Sequence, residues 1–197
     1  MARFERRPWL LIVLGGLVGT LVMFVLGGLL LRQPPKAVSQ MQAAAASGNQ
    51  SALAEALDQG IDVNATAEYG TTALHRAAGR GQLGTARLLL ERGADVAVRD
   101  HLGQTPLHRA VISGHPELAR LLLERGADPT MADDKGSTPL HMVVWRRTGG
   151  AEIRLELAEE LLAHGADPTA RDDYGQSPLS LAEKAALSPL VERLSQE

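Results

Sequence analysis

Thr72-Ala73-Leu74-His75-Arg76-Ala77-Ala78 returns as Thr105-Pro106-Leu107-His108-Arg109-Ala110-Val111 after 33 residues, and Thr138-Pro139-Leu140-His141 follows after another 33. A second marker keeps the interval: Gly60-Ile61-Asp62, Gly93-Ala94-Asp95, Gly126-Ala127-Asp128 and Gly165-Ala166-Asp167 step by 33, 33 and 39 residues. A period of this kind stacks one short unit on the next, because a single unit cannot bury its apolar side alone. The expected fold is an all-α solenoid.

Each unit accounts for its own residues. Thr72, Thr105, Thr138 and Ser177 stand where a hydroxyl accepts from the free amides of a helix start. Pro106, Pro139 and Pro178 follow at the one helical position that tolerates proline. Further on, Leu88-Leu89-Leu90, Leu121-Leu122-Leu123 and Leu161-Leu162 give a second helix one apolar face. Gly93, Gly126 and Gly165 end it, since glycine takes the left-handed backbone that closes a last turn. Turns rich in aspartate then lead to the next helix: Asp100-His101-Leu102-Gly103, Asp133-Asp134-Lys135-Gly136 and Asp172-Asp173-Tyr174-Gly175.

On these residues the chain resembles the ankyrin-repeat family from about residue 38 to 197. The resemblance implies helix pairs stacked in series, loops projecting from them like fingers, and a concave face that grips other proteins. It also implies that His75, His108 and His141 link threonine and backbone groups of neighbouring units and that His115 opens a second helix; His164, just before a helix-ending glycine where a positive ring suits the dipole, reads as structural too. The expected units are an amino-terminal cap at 38–66, full repeats at 67–99, 100–132 and 133–171, and a carboxy-terminal cap at 172–197. The caps depart from the signature, with Gln42-Ala43-Ala44-Ala45-Ala46 in the first unit and Ser180 for histidine in the last, as units that face water should. The unit at 133–171 carries six extra residues around Arg146-Arg147-Thr148-Gly149-Gly150, read as a loop before a helix from about Glu152 to Ala163.

The first 37 residues stand apart. After a basic tail at 1–8, Trp9 to Leu31 is a run of 23 residues without a charge. As a helix it spans about 35 Å, enough for a hydrocarbon core of about 30 Å. It reads as a retained transmembrane signal-anchor, since the apolar run exceeds that of a cleaved leader and no small-residue cleavage site follows it closely. A proline-containing linker at 32–37 joins it to the array. Arg3, Arg6 and Arg7 before the span outnumber Arg32 and Lys36 after it, which favours a cytoplasmic amino terminus and repeats in the periplasm or outside the cell. The alternative orientation makes the array a cytoplasmic adaptor at the membrane. Gly15 and Gly19 offer a small-residue stripe for a weak homodimer, although glycine is common in membrane helices in any case.

Composition narrows the function. The chain has no cysteine, so disulfides, thiolate metal sites and a cysteine nucleophile are excluded. Five of the 20 basic residues but only one of the 23 acidic ones precede the array, leaving 15 against 22 and a net charge of about −7. That balance argues against nucleic acid and suits a neutral or basic protein surface. His75, His108 and His141 cannot share a metal, because adjacent repeats lie about 10 Å apart and zinc needs its ligands at about 2 Å. No cofactor or metal is expected. Phosphate loops, nucleophile elbows and zinc-protease patterns are missing from the sequence, so the expectation is a non-catalytic scaffold. A hydrolase using Asp133 with Asp134, or Asp172 with Asp173, is the competing reading. The resemblance implies that another protein is held by finger tips and the exposed start of the concave face: Tyr69, His101, Leu102, Lys135, Trp145 and Tyr174, together with Arg80, Ile112 and Arg146 just after the first helix of their units. Asn49 and Asn64 match a glycosylation pattern and are read as coincidental.

Overall fold

A computed structural model describes residues 35–145 and 150–196. The apolar run at 9–31, with Gly15 and Gly19, lies outside the described residues, as does Arg146. Among the described residues no helix is long and apolar enough to cross a membrane.

Ten α-helices appear among the described residues, without a strand. They are α1 Pro35–Ser47, α2 Gln50–Asp58, α3 Ala73–Arg80, α4 Leu83–Glu91, α5 Pro106–Ser113, α6 Pro116–Glu124, α7 Pro139–Trp145, α8 Gly150–Ala163, α9 Pro178–Lys184 and α10 Ser188–Leu194. From α3 onward each odd-numbered helix packs against its even-numbered successor. From α3 onward odd helices also pack on the next odd helix, and from α2 onward even helices pack on the next even one, giving two rows. Leu74, Leu107 and Leu140 from the first row and Leu89, Leu122 and Leu161 from the second are fully buried between them. Alanines such as Ala77, Ala78, Ala110 and Ala119 let the rows approach, so a continuous core forms with very few aromatic residues.

Two boundaries differ from the sequence reading. Pro35, Lys36 and Ala37 form the first turn of α1 rather than linker, because proline at a helix start removes only an amide that has no helical partner. The extra residues of the third full unit lengthen a helix as well as a loop: α8 has 14 residues, whereas α4 and α6 have nine each. Only 146–149 remain between α7 and α8, and they lie outside the described residues.

A row of side-chain bridges ties the stack together. His75 Nδ1 accepts from the Thr72 amide at 3.2 Å, and its Nε2 donates to the Gln104 carbonyl of the next unit at 3.0 Å. His108 repeats this between Thr105 and Ser137 (3.2 and 3.2 Å), and His141 between Thr138 and Gln176 (3.1 and 3.1 Å). Gln42, one period before His75, continues the row by donating Nε2–H to the Thr71 carbonyl. Ser180, in the last described unit, keeps only the local half, exchanging bonds with Ser177 across the helix start.

The inner helices end in the left-handed conformation at Gly48, Gly81 and Gly114, with φ of +79°, +67° and +78°. Ala186 occupies the equivalent place after α9 with φ of +54° and bears the Cβ penalty that glycine avoids. Ala186→Gly is therefore expected to raise stability by about 0.5–1 kcal/mol net of the entropy glycine adds to the unfolded chain. A urea melt that shows no gain would place the strain elsewhere.

Candidate functional site

Between the first inner helix of the signature, α3, and its successor α5 runs an open groove of about 560 Å³. Its rim is made of finger tips. Tyr69 stands on one side at 70% exposure, with His101 and Leu102 on the next finger. Arg76, Gly79 and Arg80 line the α3 wall, and Arg109, Ile112 and Ser113 line the α5 wall. Arg76 and Arg80 share a helix face because they are four residues apart. Arg76 also closes a smaller cleft of about 360 Å³ that runs past Ala67 and Glu68 to the α1 residues Gln42, Ala43 and Ala46.

The fingers are positioned by their aspartates. Asp100 Oδ1 accepts from the Leu102 and Gln104 amides at 2.9 and 3.0 Å, while Oδ2 accepts from the Arg109 guanidinium. Burial alone would raise this carboxyl, whose side chain is 1% exposed; the Arg109 hydrogen bond and the two amides outweigh it and hold Asp100 below the ordinary carboxylate range. Asp133 and Asp172 fix their fingers in the same way, through Lys135 and Ser137 and through Tyr174 and Gln176. Single backbone bonds then link finger to finger: His101 to Tyr69, Asp134 to Leu102 and Asp173 to Lys135.

Carboxylates proposed as acid pairs are thus divided between different tasks. Asp133 holds its own turn, and Asp134 faces Arg99 at 3.0 Å. Asp173 packs behind Gly136, and Asp172 accepts from two turn amides, with its Oδ2 buried and without a partner. Both ring nitrogens of His75, His108 and His141 are engaged with protein atoms. Desolvation on burial lowers the pKa of His75 and His108, and with Nδ1 accepting from a threonine amide the Nε2 proton faces the next unit. His164 Nδ1 lies 2.8 Å from the Glu160 carbonyl at the end of α8. Asn49 caps α2 through the Ala52 amide at 3.0 Å, and Asn64 accepts from the Asp95 amide at 2.9 Å.

The five large apolar side chains left exposed among the described residues are Tyr69, Leu102, Ile112, Trp145 and Tyr174. The groove brings together Tyr69, Arg80, His101, Leu102 and Ile112. Lys135, Trp145 and Tyr174 are exposed but not part of it; Trp145 tilts against the His141 ring, their centroids 6.2 Å apart. Sequence reasoning passed over Arg76, Gly79, Arg109 and Ser113 on the groove walls. The signal was available, since Arg76 lies four residues before Arg80 and 33 before Arg109.

A serial pile of helix pairs with a ridged, open groove defines a helical solenoid. The ankyrin-repeat family model (three copies) matches residues 40–133 and again 98–172, so the chain belongs to the ankyrin-repeat family. Ankyrin repeats are in general protein–protein interaction modules. Comparison with curated proteins gives no match.

Proposed function

We propose that this chain is a membrane-tethered scaffold in which five ankyrin units hold another protein, without turnover of their own. The observation that carries the reading is the convergence of Tyr69, His101, Leu102, Arg80 and Ile112 on one open groove. Large amphipathic side chains kept at a rim, where burial would be favourable, are the usual anchors of a protein interface. The uncharged run at 9–31 supports the tether, and the arginines before it support repeats on the non-cytoplasmic side.

Photo-crosslinking from the Trp145 and Tyr174 positions in native membranes tests the module. One recurrent protein partner, lost when Tyr69 and Leu102 are changed to alanine, is the expected outcome; absence of any adduct sensitive to groove changes would sink the reading. A carboxy-terminal reporter active on only one side of the membrane separates the two orientations.

A further inference from the structure

The units differ at one paired position. Asp100 and Arg109 lie nine residues apart and close on each other within their unit. One period earlier the arginine is kept as Arg76, but its aspartate is replaced by Ala67. Arg76 is exposed and, like Arg80, makes no ion pair among the described residues. The place an aspartate would fill is open, since the smaller cleft is lined by Ala67 and Arg76 together. Losing that aspartate also costs the finger its acceptor. Its turn instead forms a short 3₁₀ segment, Glu68–Gly70, in which Tyr69 takes φ of +62°, a strained conformation for a bulky side chain.

We propose that Arg76 and Arg80 receive a carboxylate from an extended acidic segment of the partner protein, in the place where this unit lacks its own aspartate. This rests on the protein-binding reading above and names its chemistry. A bidentate guanidinium–carboxylate contact supplies geometry as well as charge. An apolar side chain next to that carboxylate meets Tyr69, Leu102 and Ile112 across the groove. The net charge of the array favours a neutral or basic partner overall, but the groove is locally the reverse: three arginines face one aspartate, which Arg109 already neutralises. Glu68, on the wall of the smaller cleft, is the one competing carboxylate there and forms no ion pair with Arg76.

The test uses the full-length chain in detergent and a short fluorescent peptide alternating glutamate with leucine, beside its glutamine counterpart, read by anisotropy. The glutamate peptide is expected to bind at least about ten-fold more tightly than the glutamine one, and Arg76→Ala to remove that margin. Ala67→Asp is the decisive variant. It supplies the missing carboxylate internally, so it should raise the melting temperature while weakening the glutamate peptide about ten-fold. Equal binding of both peptides, no binding of either, or an Ala67→Asp chain that melts higher but binds unchanged would overturn the inference. So would anionic vesicles of phosphatidylcholine and phosphatidylglycerol competing fully for Arg76. If the native crosslinked partner is lost on changing Tyr69 and Leu102 but kept in Ala67→Asp, the interaction module stands and only this chemistry fails.

Discussion

His108→Ala is expected to lower the unfolding free energy by about 3–5 kcal/mol, the combined cost of a cavity, of a buried amide left without its acceptor and of the lost bridge between units. The ring is fully buried, accepts from the Thr105 amide and donates to the Ser137 carbonyl; that carbonyl also accepts from the Asp133 amide, whereas the Thr105 amide has no second acceptor among the described contacts. Since a solenoid is coupled only through neighbouring units, damage at a central junction should also broaden the urea transition. His101→Ala, at an exposed finger tip, should change stability by less than about 0.5 kcal/mol. A loss under about 1 kcal/mol in His108→Ala would mean that helix packing alone holds the junction.

The same rings set a pH dependence. Burial lowers the pKa of His75 and His108 in the folded chain, whereas an unfolded imidazole titrates near about 6.5. Between those limits the unfolded state binds more protons, so stability is complete above pH about 6.5 and falls as the pH drops toward the folded values. Equilibrium melts across this range should show that slope, and His108→Ala should reduce it.

Asp100→Ala has the second largest expected effect, about 2–3 kcal/mol, with the Arg109 contact discounted for the third of that side chain left in water. One carboxylate satisfies the Leu102 and Gln104 amides and the guanidinium together. Its loss should loosen the finger that carries His101 and Leu102, visible as faster amide exchange there, and free Arg109. Asp134→Ala is the control, because its ion pair with Arg99 is largely exposed and should matter by less than about 0.5 kcal/mol. Equal costs for the two aspartates would contradict this assignment.

Local chemistry made much of the molecule readable. Hydroxyls at Thr72, Thr105 and Ser177, prolines after the last two, and the turn aspartates each act within a few residues of themselves. Gln42 was harder to see. It lacks the Thr-Pro-Leu-His context, yet it takes the place of the bridging histidine because any donor that reaches the Thr71 carbonyl serves. The helix read from about Glu152 to Ala163 begins two residues earlier, at Gly150: residues in an insertion continue a helix when the preceding unit offers a surface to pack on, and here α6 does.

The 33-residue interval, acting through helix starts and turns that recur in step, was enough by itself to establish paired helices in series, while the choice of exposed tip residues came with the family resemblance. Tertiary structure alone decided which of those residues share a groove and which cations remain unpaired. Arg76 and Arg109 are the same residue at the same place in two units, and only the presence of Asp100 in one fold neighbourhood and of Ala67 in the other makes one a strut and the other an open charge.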